Sequence, residues 1–465
     1  MKIHFVFFWT DILIFFLLLA VVIFACWISR LPHWREPWSR VGKRKLGMIS
    51  LVLLLSYSLV AVLDSIHFKF SQTGSSKEIS YQVQSLFDVL IRPLGLNKEY
   101  SYSAPFSIFS SSKSVSIYKG KAITYYPKLT YAGWQLKKPS DKTKDIIKRV
   151  SASVLVGLLL SGLLALVFFY CFAKKIKHSL PKTIVKILSG KTEIAWREML
   201  ITFCAIIIFV CFIKFVSPYY HILGTDKIGV DELYETLKSI RTGLVIGTLT
   251  TLVMLPFAVF FGMLAGYFGG WRDDIIQYVY TTLSSVPGVL LITASVLSLQ
   301  LFISNHTRLF PTLESRADAR LLALCLILGI TSWTSLCRLL RAETLKLREI
   351  DFVKASIALG VSSYKTIWRH IFPNVLHIIL ITVVIDFSAL VLAEAVLSYV
   401  GVGVDPITPS WGNMINSARL DLARDPVVWW PLFSAFIFMF VLVLAANLFA
   451  DATRDAFDPR LQDES

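Results

Sequence analysis

DFVKASIALGVSSYKTIWRHIFPN, residues 351–374, is a polar and basic island between two long apolar segments. Ala355, Ile357, Ala358 and Leu359 supply apolar surface at helical spacing, Gly360 permits the backbone to turn, and Pro373 opens the next element where a missing N–H is harmless. The pattern predicts a short helix, a break and a second short helix. The island is too polar for hydrocarbon and too well patterned for a slack loop. Presented in water beside membrane helices, such an amphipathic hairpin makes a docking surface for a soluble partner, with a plain surface loop as the competing reading.

The rest of the chain supports a membrane setting. Of 465 residues, 55% are hydrophobic, and the mean hydropathy of +0.64 lies outside the range of soluble globular domains. The formal net charge of +16 does not point to nucleic acid, because Lys and Arg mostly flank apolar runs, where they anchor helix ends and set orientation. All six cysteines (Cys26, Cys171, Cys204, Cys211, Cys325, Cys337) fall within or at the ends of apolar segments, which argues against a disulfide framework or a cysteine metal site.

Four segments follow in order. Residues 1–66 hold two apolar runs, at 12–28 and roughly 47–66, joined by a basic loop; the first run lacks a small-x-small cleavage site and reads as a retained helix. Residues 67–150 have no helix-length apolar run. There SVSIYKGKAITYY alternates around Lys119-Gly120 as a hairpin does, so a small strand-containing extracytoplasmic insertion is expected, either a platform for a binding protein or a structural addition. Residues 151–220 carry helices at about 151–173 and 199–216 around a basic connector. Its Gly190-Lys191-Thr192 is no phosphate-binding loop, since Val185 stands where the earlier glycine is needed. Residues 221–465 form the core, with helices at about 241–267, 275–303, 319–338, 375–400 and 427–450. Gly262, Gly266, Gly269 and Gly270 place small residues where close packing or a turn is needed. Pro287, read as lying inside the second core helix, gives either a bend lining a pathway or a packed kink.

Three strings in this core carry a family resemblance. Asp351, Phe352, Val353, Ala355, Ser356, Leu359, Gly360, then Arg369, His370, Pro373 and Asn374, resemble the cytoplasmic EAA loop of bacterial ABC importer permeases. Lys354 departs from the usual Glu and Ser356 from the usual Ala, so no family ion pair is implied at 354. His221, Leu223, Gly224, Thr225, Asp226, Gly229, Asp231, Leu233 and Arg241 match the segment preceding the core of dipeptide and oligopeptide permeases, although turns and helix capping alone explain most of them. Glu394, Leu397, Ser398, Gly401 and Gly403, then Pro409, Ser410, Trp411, Gly412 and Asn413, look like a third family string. The tail matches through Asn447, Asp451, Arg454, Asp455, Asp458, Pro459 and Arg460.

The resemblance covers roughly 221–462. It implies an all-α polytopic inner-membrane permease with an ABC type I core, paired with a second permease, two ATPase subunits and an extracytoplasmic binding protein. ATP and Mg would then sit on the partner ATPases, this chain would hold no cofactor, metal or catalytic residue, and 351–374 would be the coupling loop. Peptides are the expected substrate class, with nickel, a peptide-like antibiotic or a non-transporting scaffold as alternatives. A membrane-embedded enzyme is disfavoured, because the eight histidines form no HExxH or similar spacing.

Two acidic residues fall in the penultimate helix. Asp386 and Glu394 lie eight residues apart, roughly 80° on a helical wheel at about 100° per residue, and so share one broad face. A pathway-lining role and an ion pair to another helix are both open. About nine apolar segments with the 351–374 loop inside put the N-terminus and 67–150 outside. The basic loops 28–46 and 174–197 then lie inside, as the positive-inside rule asks, while basic 136–149 lies outside within a long insertion.

Overall fold

The computed structural model describes residues 2–28, 32–71, 83–118, 121–176, 179–190, 192–306 and 308–457. In chain order the elements begin with β1 (Lys2–Val6), α1 (Trp9–Ile28), α2 (Pro32–Lys43), α3 (Lys45–Asp64), β2 (His67–Ser71), β3 (Val83–Ser85), α4 (Leu86–Leu90) and α5 (Arg92–Leu96). The hairpin β4 (Ser114–Tyr118) and β5 (Lys121–Tyr125) follows, then α6 (Lys142–Ile176), α7 (Leu180–Leu188), α8 (Trp196–Val216) and α9 (Glu232–Phe268). The remainder is α10 (Gly270–Ser285), α11 (Gly288–Asn305), α12 (Leu313–Arg348), α13 (Asp351–Ala358), α14 (Ser363–Thr366), a π turn (Ile367–Ile371), α15 (Phe372–Tyr399), α16 (Trp411–Asp421) and α17 (Trp430–Phe457).

Among the described residues eight helices are long and apolar enough to cross a membrane: α3, α6, α8, α9, α11, α12, the continuous run Ser363–Tyr399, and α17. A further apolar helical stretch, Trp9–Ile23, belongs to α1. One core expectation is corrected. Pro287 is not inside a helix: it caps the N-terminus of α11, and Val286, extended at ψ 130°, separates α10 from α11. Hydropathy runs through this junction, whereas proline disfavours the α conformation in the residue before it and starts the next helix cleanly.

By packing, the chain divides into two units that cut across the four sequence segments. One comprises Pro32–Arg241 and Pro409–Ala445 with β1; the other comprises Thr242–Thr408 with α1 and the end of α17. In the first, β1 pairs antiparallel with β2 (Lys2↔Ser71 to Val6↔His67) and β2 with β3, making a three-stranded sheet from both sides of the first two apolar helices. The β4–β5 register, Ser114↔Tyr125 to Tyr118↔Lys121, matches the expected hairpin, whose turn residues Lys119 and Gly120 lie outside the described residues.

The insertion is locked to the segment at 221–241 by buried charge. Glu99 accepts the amides of Thr130 (2.8 Å), Tyr131 (2.8 Å) and Ala132 (3.0 Å), and its carboxylate lies 3.5 Å from His221 Nε2. On the other side of the ring, His221 Nδ1 meets Asp231 Oδ2 at 2.6 Å. A Cβ on Gly229 would fall 1.9 Å from the Glu99 carbonyl oxygen, so glycine there, at φ +76°, is what lets the two strands of chain touch. Nearby, the half-buried Lys238 ammonium bridges Asp64 (3.1 Å) and Asp88 (2.9 Å), joining the start of α9 to the end of α3 and to α4.

Burial disfavours the His221 imidazolium, but the Asp231 and Glu99 carboxylates overcome it and push the pKa up to about 9. Glu99 is likewise raised by burial, yet His221 and the three amides hold it at about 2. The His221 contribution to stability is therefore fully present below pH 6.5 and lost as pH rises through about 9; that of Glu99 is present above pH 4.5 and lost only as pH falls through about 2. The melting-temperature advantage of the wild type over His221→Gln, measured on the solubilised chain, should be largest at pH 5–6 and shrink by pH 10; an advantage that does not change with pH contradicts this account.

Candidate functional site

Residues 351–374 form a helix–turn–helix bracket. Helix α13 ends in a Schellman motif: Gly360 N–H donates to Ile357 O (3.0 Å) and Val361 N–H to Ser356 O (3.1 Å), with Gly360 in the left-handed region at φ +75°. Val353 and Ser356 point inward, and the Ser356 and Thr366 hydroxyls lie 3.3 Å apart in the buried seam with α14. Ile371 and Val375 are fully buried, and the Phe352 and His370 rings meet at 6.1 Å. Asn374 Nδ2 donates to His370 O at 2.6 Å, and Pro373 sits in the first turn of α15, where its missing N–H is harmless.

The outer face is left open. Asp351, Lys354, Ala355, Ile357 and Arg369 are exposed, as are Leu359 at 83% and Tyr364 at 73%. Lys354, at the position that departs from the family string, pairs with Glu349 at 3.0 Å. Lys354 holds the Glu349 carboxyl below its usual range, although both side chains are open to solvent, so the pair adds little to stability.

The bracket is carried by α12, which is braced along its length. A Cβ on Gly262 would lie 2.9 Å from Cys337 O, and one on Gly266 2.7 Å from Arg341 O, so these glycines, one turn apart, bring α9 against the α12 backbone. Arg341 then grips Asp273 of α10 with two bonds, at 2.5 and 2.7 Å, which holds that carboxyl below its usual range. Arg348 donates to Tyr267 O at 3.1 Å. At the other end of the unit, Asp318 of α12 accepts the Trp9 N–H (3.0 Å) and the Thr10 N–H and hydroxyl, capping the start of α1.

The two acidic residues of α15 occupy different environments. Glu394 is buried and accepts from Ser398 Oγ at 2.7 Å; a Cβ on Gly403 would strike that serine, so this part of the third string terminates the helix. Asp386 is half-buried and makes no hydrogen bond or ion pair among the described residues. In the other unit, Ser410 caps α16 through the Asn413 N–H (3.0 Å), and Trp411 Nε1 donates to Thr236 O (3.2 Å). Of the tail match, Asp458, Pro459 and Arg460 lie outside the described residues.

Eight helices long and apolar enough to cross a membrane, among the described residues, mark a multi-pass membrane protein. Residues 258–463 match the family model "Binding-protein-dependent transport system inner membrane component". The chain is 34% identical over 239 residues to the oligopeptide transport system permease protein OppC of Mycobacterium tuberculosis, covering 51% of this chain and 76% of that one. It is 32% identical to the dipeptide transport system permease protein DppC of Lactococcus lactis (52% and 65%), and 31% identical to the glutathione transport system permease protein GsiD of Pectobacterium atrosepticum (52% and 73%). The chain belongs to the family of inner-membrane components of binding-protein-dependent transport systems. It is a permease subunit of an ABC importer, not an enzyme; ATP hydrolysis is carried out by separate subunits.

Replacing Gly266 with Val should cost roughly 1–3 kcal/mol, because the branched side chain has no room against the α12 backbone. A melting temperature for the solubilised Gly266→Val variant equal to wild type would refute that packing.

Proposed function

We propose that this chain forms the translocation path for a peptide-class solute and is driven through residues 351–374 by two ATPase subunits that bind ATP and Mg. A second permease subunit would complete the path, with an extracytoplasmic binding protein delivering the solute. The observation that carries this reading is the exposed apolar face of α13 on a bracket whose inner face is fully packed. A rigid amphipathic helix outside the membrane fits a groove on a soluble partner. The similar permease proteins of oligopeptide, dipeptide and glutathione transport systems support the substrate class.

The mechanism is alternating access. ATP-driven closure of the ATPase dimer displaces α13, and α12 and α15, which flank the bracket, carry the displacement into the bilayer. The ATPase shifts the equilibrium only by binding the inward-open and outward-open forms with different affinity.

Ala355→Glu with Leu359→Asp changes only exposed side chains, so insertion and thermal stability should stay at wild-type levels. In vesicles holding the whole importer, uptake and solute-stimulated ATP hydrolysis should fall about tenfold or more, as for lost interface anchors. Wild-type uptake by this variant would sink the coupling assignment.

A further inference from the structure

We propose that the connector between α6 and α8 is a binding site for an anionic phospholipid, with α7 lying in the membrane surface. Nothing in the transport reading requires this segment, and the sequence alone offered only a basic connector there.

The sequence LPKTIVKIL of α7 divides into three strips. At about 100° per residue, Thr183 and Ile187 share one strip, and both are buried. Lys182 and Lys186 form a second, exposed strip beside it. Leu180, Val185 and Leu188 make a third, and they are 40%, 67% and 55% exposed. A helix this short with three open aliphatic side chains is not built for water. Its position supplies the cover: α6 ends at Ile176 and α8 starts at Trp196, and both cross the membrane, so α7 is tethered at the bilayer surface at both ends. An apolar strip bordered by lysines is the pattern of an interfacial helix.

The lysine strip faces a cavity of about 640 Å³. Lys175, Lys182 and Lys186 line it against a single carboxylate, Glu193, among the described residues. Phe172 and Trp196, 5.6 Å apart between ring centroids, form its wall, an amphipathic aromatic pair of the kind that sits at headgroup depth. Three cations over an aromatic wall, with the aliphatic strip alongside, suit a phosphate attached to acyl chains. Basic pockets at the ends of membrane helices bind anionic headgroups by this chemistry.

The test is native mass spectrometry of the full-length chain from nanodiscs containing equal phosphatidylglycerol and phosphatidylcholine. Phosphatidylglycerol should be retained in preference, and excess inorganic phosphate should not displace it. Lys175→Gln, Lys182→Gln and Lys186→Gln together should weaken retention on the order of a hundredfold. The same charge loss at exposed positions beyond the other end of α6's apolar run, Lys137→Gln, Lys138→Gln and Lys144→Gln, should leave it intact. Leu180→Ser with Val185→Ser and Leu188→Ser should also reduce retention, which a phosphate-only site would not show. Equal retention of both lipids, displacement by inorganic phosphate, or equal behaviour of the two lysine triples would overturn the proposal.

Discussion

One small buried seam holds the two arms of residues 351–374 together, and the proposed coupling role requires a stiff segment of this kind. Ser356 of α13 meets Thr366 of α14, Val353, Ile371 and Val375 are fully buried, and Gly360 in the left-handed region makes the turn between the two arms. Were this seam loose, movement of α13 would dissipate in side-chain rearrangement. In the proposed mechanism the bracket moves as a body and carries α12 and α15, which flank it in the chain.

The same requirement explains how α12 is held. Its glycine-mediated contact with α9 and the two-pronged Arg341–Asp273 bond fix its C-terminal half, and Asp318 fixes its other end by capping α1. In hydrocarbon every backbone amide needs a partner, and the first amides of a helix have none of their own. Supplying them from a carboxylate on a neighbouring helix both satisfies α1 and ties it to the core of the unit. Ile14 of α1 packs in the same hydrophobic cluster as Leu321 and Leu328 of α12.

Much of this was legible in the sequence, for identifiable reasons. The bracket stood out because polar residues in a chain this apolar need an explanation, and its glycine and proline sit where backbone geometry demands them. The β4–β5 hairpin was visible in its alternation. Pro287 was misplaced because an apolar run masks the missing amide that separates two helices. Strand β1 escaped notice since five residues beside a long apolar helix carry no independent signal, and its partner β2 lies beyond two helices. Helix α7 is masked in the sequence by the basic charge around it, although its lysines recur at a spacing of four with aliphatics between them. The Asp318 cap on α1 joins residues some three hundred positions apart, and no local pattern announces it.

The central claim is that α13 docks on an ATPase. The most direct measurement is photo-crosslinking in the intact importer from a probe at Leu359, with one at Ile201, exposed on a membrane helix, as the control. The account predicts a crosslink to the ATPase subunit from 359 and none from 201. Absence of an ATPase adduct from 359, or equal adducts from both positions, would contradict it.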